Sequence, residues 1–226
     1  YDNLITVDVI CHGVPNEKFF NSYLEYEKNR RKAKEVTGYT FRDKSKGWGM
    51  VGRIDLLKKD DSCYSVYIPA RLETYYTLFL DGSIYRENCY SCKYATKKRG
   101  SDLTIGDFWG IKTEHPELLA HNGYSIQNGI SCVLANSDKG ISVCQDMKEI
   151  LQLHDSSFEK VSRQNKQLIE PSHETKARAV IMKLYVEKGY EAVEKWFRKF
   201  YKKQIIVHSI YHAIPIKMRL RIKQIL

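Results

Sequence analysis

Tyr85-Arg-Glu-Asn-Cys89-Tyr-Ser-Cys92-Lys-Tyr94 leads through a basic connector to Ser101-Asp-Leu-Thr-Ile-Gly-Asp107-Phe-Trp-Gly-Ile111, and this stretch decides how the chain is read. Cys89 and Cys92 stand three positions apart on a turn-forming segment, a spacing that lets two sulfurs converge on one metal centre without strain. One such pair supplies half of a tetrahedral or cubane site, so the remaining ligands must come from elsewhere in the fold. Cys11 is the obvious donor. It closes Leu4-Ile-Thr-Val-Asp-Val-Ile-Cys11, a β-branched and nearly continuous apolar run that suits a strand buried on both faces of a mixed or parallel sheet. Gly13 and Pro15 force a turn just beyond it, which puts Cys11 at the carboxyl end of the strand, where open α/β sheets place ligands.

The rest of the chain reads outward from these two segments. Asn16 is an N-cap for an amphipathic helix reaching about residue 34. Residues 36–42 form a strand, and 50–57 with 62–69 form a hairpin across a charged turn. A helix covers 74–80, a short strand 103–106, a loop 112–130, a strand 130–135 and a helix from Ser137 to about residue 150. Helical periodicity returns in the last quarter, interrupted at Gly189, and residues 216–223 alternate apolar with basic side chains. The expected fold is α/β, a mixed sheet with flanking helices and cysteine-bearing loops at one end. The expected division is a domain over 1–155 and a helical, basic extension over 156–226.

The chain has 226 residues, 42% hydrophobic and 12% aromatic, enough to bury a core as one large or two small domains. It begins at Tyr1 with an apolar run almost at once, which reads as a piece of a longer polypeptide. No run approaches the roughly 20 apolar residues of a membrane span, so a cytoplasmic location is the expectation, with peripheral attachment open to the basic tail. The six cysteines make a poor disulfide framework in a chain this long. Cys63, Cys132 and Cys144 read as ordinary packed thiols. The net charge of +10 is uneven: 13 Lys/Arg face 4 Asp/Glu from 171 to 226, against 24 and 23 before that. The positive charge therefore belongs to the tail, which suits an acidic partner or an anionic membrane surface. No nucleic-acid module is recognisable, and no specific nucleic-acid partner is expected.

Spacing alone leaves the metal open between zinc, an iron–sulfur cluster and a non-metal thiol pair. His12 lies next to Cys11, but adjacent residues on extended backbone rarely aim at one ion. Gly106 and Gly110 would let backbone approach a flat cofactor, Trp48 and Trp109 could stack on a ring, and Lys44, Lys46 and Arg99 suit a dinucleotide's phosphates. Asp102 and Asp107 fit capping and turn roles better than acid–base work.

Three groups of residues carry a family resemblance: Cys11-His-Gly13-Val-Pro15; Phe41-Arg-Asp-Lys44 with Gly47-Trp48; and Arg86-x-x-Cys89-Tyr-x-Cys92 with Arg99-x-Ser101-Asp102-x-Thr104-x-Gly106-Asp107-Phe-Trp109-Gly110. Together they closely resemble the carboxy-terminal domain of the coenzyme F-420 hydrogenase/dehydrogenase β-subunit family. The nearer likeness is to the bacterial branch found with polysaccharide-synthesis enzymes. The resemblance implies an iron–sulfur flavoprotein oxidoreductase holding FAD and a 4Fe-4S cluster. Cys11, Cys89 and Cys92 would be three cluster ligands, the fourth coming from a cysteine upstream of Tyr1. The candidate flavin contacts are His12, Gly13, Lys44, Trp48, Arg99, Asp107 and Trp109, chosen for the chemistry of the residues themselves. The expected partner is an electron-donor or acceptor protein, or an upstream ferredoxin-like domain. The competing expectation is a zinc-stabilised, non-enzymatic module that docks to a membrane-associated assembly through its basic tail.

Overall fold

The computed structural model describes residues 3–46, 49–121, 124, 126 and 129–214. In chain order its regular elements are β1 (Val7–Val9), α1 (Glu17–Arg30), β2 (Glu35–Thr40), β3 (Val51–Leu57), β4 (Cys63–Pro69), α2 (Thr74–Leu80) and β5 (Leu103–Asp107). There follow α3 (Ile111–Glu114), α4 (Pro116–His121), β6 (Ser131–Ala135), α5 (Asp138–Asp146), α6 (Phe158–Ser162), α7 (Arg178–Lys188), α8 (Tyr190–Phe200) and α9 (Lys202–Ala213). The fold is mixed α/β, as expected. The expected loop over 112–130 is corrected in part, because α3 and α4 are wound there, with Pro116 at the first position of its helix, where its missing N–H costs nothing. Residues 216–223 lie outside the described residues.

The chain divides into two discontinuous units, Tyr1–Val14 with Arg86–His173, and Pro15–Tyr85 with Glu174–Leu226. This replaces the linear division at residue 155. The reason is packing: Ile181 of α7 and Val193 and Phe197 of α8 are fully buried in one cluster with Phe19 and Tyr23 of α1, Ile54 and Leu56 of β3, and Tyr75 and Leu78 of α2. The last helices therefore complete a core that residues 15–85 begin. In this unit β2, β3 and β4 form an antiparallel sheet in that order. The alternating burial of β3 drives Ile54 and Leu56 into the core. Asn16 caps α1, its side-chain oxygen accepting from the Lys18 N–H at 2.8 Å.

The other unit is built on a mixed sheet of order β1-β5-β6, with β1 parallel and β6 antiparallel to β5. Its core gathers Phe108, Ile111, Cys132, Val161 and Leu168 on one side of that sheet. Here the expectation of a doubly buried first strand fails. β1 is only three residues long, lies at the sheet edge and leaves Val7 and Val9 more than half exposed. Across the sheet Val9 registers with Ile105 and Ile105 with Val133, and all three are exposed on that face. An edge strand pairs on one side only, so hydrophobicity alone did not bury it.

Candidate functional site

The path of the chain beside β1 builds the site. The Val14 N–H donates to Cys89 Sγ at 3.4 Å and the Arg86 N–H to the Val14 carbonyl at 2.9 Å, which fixes the Cys89 turn against the segment just after Cys11. From there residues 89–101 run back along the open edge of β1. Arg99 holds them: Nε donates to Asp8 Oδ2 at 2.9 Å, Nη2 to the Val9 carbonyl at 3.1 Å, and Nη1 to the Tyr94 carbonyl. At the amino end of β1, Asp102 Oδ2 accepts from the Thr6 N–H (2.9 Å) and hydroxyl (2.7 Å), and Oδ1 accepts from the Ser137 hydroxyl (2.6 Å). Those three donors hold the Asp102 carboxyl well below its usual range, at about 2, the Ser137 bond contributing most. The chain then enters β5. This return explains how a loop that precedes β5 can carry its cysteines to the opposite end of β1.

Between the returning segment and β1 lies a cavity of about 640 Å³. Cys11, Cys89 and Cys92 all line it, with His12, Gly13 and Arg99, and Gln167, Pro171 and Ser172 close another side. The Ser172 hydroxyl donates to the His12 carbonyl at 2.6 Å, tying that wall to the cysteine turn. Gly13 has φ +140°, a conformation that favours glycine at this turn. His12 is an exposed residue whose partial burial lowers its pKa by desolvation. Among the described residues no three His, Cys, Asp or Glu side chains close on a point that could hold a single metal ion.

The other expected contacts are dispersed. Asp107 and Trp109 follow at the carboxyl end of β5, half-buried and not among the residues lining this cavity. Lys44 belongs to the other unit, exposed on the single turn Lys44–Lys46, and Trp48 lies outside the described residues, as does the side chain of Lys46. Arg99 lines the cavity, but its side chain is only 5% exposed and three of its five N–H groups donate to Asp8, Val9 and Tyr94, so its visible role is to brace the segment. The two glycines have close neighbours of their own. A Cβ at Gly106 would stand 2.8 Å from Ile10 Cδ1, and one at Gly110 (φ +87°) 2.9 Å from Gln164. The space each leaves is filled by the chain's own side chains. Cys132 is buried in the core, where desolvation lifts its thiol pKa to about 11, and Cys63 opens β4 in the other unit. Reading the sequence missed Asp8 and Ser172. A lone carboxylate inside an apolar strand was a usable signal for Asp8, whereas nothing local marks Ser172.

These features define a mixed α/β protein with a thiol-lined cavity beside the edge strand of its mixed sheet. A family model for the C terminus of the coenzyme F420 hydrogenase/dehydrogenase beta subunit matches residues 1–160, and the chain belongs to that family, one of oxidoreductase subunits. No curated protein and no solved structure matches the chain.

Proposed function

We propose that this chain is the cluster-bearing part of an iron–sulfur flavoprotein oxidoreductase, with Cys11, Cys89 and Cys92 as three ligands of a 4Fe-4S cluster. The observation that carries the reading is the meeting of three thiols, from two segments far apart in the chain, in the lining of one cavity. The donor set suits the group, because soft thiolates select iron–sulfur clusters or zinc. A cube offers its irons at separate corners, so its thiolates surround a volume rather than meet at a point, and three thiols spread around the lining of one cavity suit that demand. The Val14 N–H at Cys89 Sγ is the kind of donor that stabilises a ligating thiolate and tunes its potential. When bound, the cluster stores one electron. Arg99, Asp8 and Ser172 hold the walls that carry the cysteines.

FAD, the fourth ligand upstream of Tyr1, an electron-carrying partner and a setting in polysaccharide synthesis rest on the family resemblance. His12, Gly13, Asp107 and Trp109 are the flavin contacts this reading retains.

The test is anaerobic reconstitution of the chain with ferrous iron and sulfide, followed by iron, acid-labile sulfide and flavin analysis. Iron and sulfide should be retained in equal amounts, and Cys89→Ser or Cys11→Ser should lose most of both. One zinc per chain with neither sulfide nor flavin would overturn the reading in favour of a zinc-stabilised module.

A further inference from the structure

The basic end of the chain carries a surface that the redox reading does not use. α9 packs inward through Ile205, which lies against the aromatic core of its unit. On the helical wheel the arc away from Ile205 holds Ile206, Ile210, Lys203 and Val207, with Lys202 at its margin. Ile206 is 49% exposed, Val207 63% and Ile210 61%, and Phe200, at the end of α8, is 64% exposed. A solvated face would carry polar side chains at these positions. Here an aliphatic ridge runs beside two lysines, which would let the apolar side chains enter a lipid interface while the cations stay at the headgroups. Twelve residues span about 18 Å of helix axis. Among the described residues no helix is long and apolar enough to cross a membrane.

The charge selects the occupant. From 202 to 226 the sequence holds six Lys/Arg and no Asp/Glu. A second copy would set like charges against one another, whereas anionic headgroups attract each Lys or Arg near the surface. We infer that α9, with Phe200, is a membrane-association surface for an anionic lipid bilayer, the lysines meeting the headgroups and Ile206, Ile210 and Phe200 entering the acyl boundary. The inference stands apart from the cysteine cavity and holds whether or not that cavity binds a cluster.

The test is co-sedimentation of the full chain with vesicles of phosphatidylcholine alone and of phosphatidylcholine mixed with phosphatidylglycerol. The chain should pellet with the mixed vesicles only, less so as salt rises. Each Ile side chain loses its burial in the acyl boundary on truncation to Ser, so Ile206→Ser with Ile210→Ser should weaken partitioning at least tenfold. Both residues are solvent-facing, and an unchanged circular dichroism spectrum confirms that the variant folds. Lys202→Gln with Lys203→Gln should reduce the preference for phosphatidylglycerol. Failure to pellet with the mixed vesicles at low salt overturns the proposal. So does pelleting that the Ile double variant leaves intact, or duplex DNA binding that outcompetes the vesicles, because either would reduce the surface to a charged patch.

Discussion

The two units put their apolar side chains to different uses. In the unit of Pro15–Tyr85 and Glu174–Leu226, the rings of Phe19, Tyr23, Tyr75 and Tyr190 interlock, with Phe19 and Tyr190 edge-to-face at 5.5 Å and Tyr23 and Tyr75 stacked at 5.2 Å. None of the three candidate cluster ligands stands there. In the unit of Tyr1–Val14 and Arg86–His173, the core is smaller, the first strand has three residues, and Val7, Val9, Ile105 and Val133 face solvent. That unit holds all three cavity cysteines: Cys11 just past the ladder of β1 with β5, and Cys89 and Cys92 on a segment braced by Arg99 and Asp102. The larger aromatic core lies in one unit and the candidate chemistry in the other.

The contrast is broken most directly at Phe197, which is fully buried. Phe197→Ala should cost about 3–5 kcal/mol of stability, read by urea unfolding. Fluorotryptophan resonances from Trp196 and Trp109, one in each unit, would show where the loss falls, and a cost below about 1 kcal/mol would mean that the aromatic cluster does not anchor its unit.

Glu73 sharpens the same comparison. It is buried, and Oε1 accepts from the Tyr39 hydroxyl at 2.8 Å. Burial raises its carboxyl from 4.5 to about 7. The folded state therefore holds the proton more tightly than the unfolded chain. The contribution is fully present below pH 4.5 and is lost as pH rises from 4.5 to about 7, a span worth about 3 kcal/mol. Glu73→Gln should flatten the stability profile across that window. A profile that still falls equally would exclude Glu73 as the cause.

The unevenness between the units also governs how much could be read in advance. The helix capped by Asn16, the β3–β4 hairpin and α8 were legible because periodicity and burial agree there: local pattern and tertiary packing point the same way. β1 was legible as a strand but not as an exposed edge, since a run such as Val7-Asp8-Val9 does not state how many neighbours it will have. The three cysteines were recognisable by type and spacing. Their shared cavity depends on the return of 89–101 along β1, which is written in pairs such as Arg99–Asp8 that no local pattern reveals. Gly106 and Gly110 misled for a related reason: a glycine signals close approach without saying what approaches, and here Ile10 and Gln164 do.

The smallest expected effect lies at Asp102, where the sparse unit is tied together. Its carboxylate joins Thr6, just before β1, to Ser137, the N-cap of α5, and its own N–H donates to the Thr6 carbonyl at 3.0 Å. A three-residue edge strand has few ladder bonds to hold its register, so this carboxylate substitutes for them. Because the three donors depress its pKa from 3.8 to about 2, its contribution is present above pH 3.8 and is lost as pH falls from there towards 2. Asp102→Asn turns one acceptor into a donor facing Thr6 or Ser137. Its thermal midpoint should drop modestly at pH 7, with the Trp109 resonance moving, and the gap to the unsubstituted chain should close as pH approaches 2. A gap that stays constant with pH would show that the carboxylate's charge does not hold the strand, leaving Arg99 as the main brace of the cysteine-bearing segment.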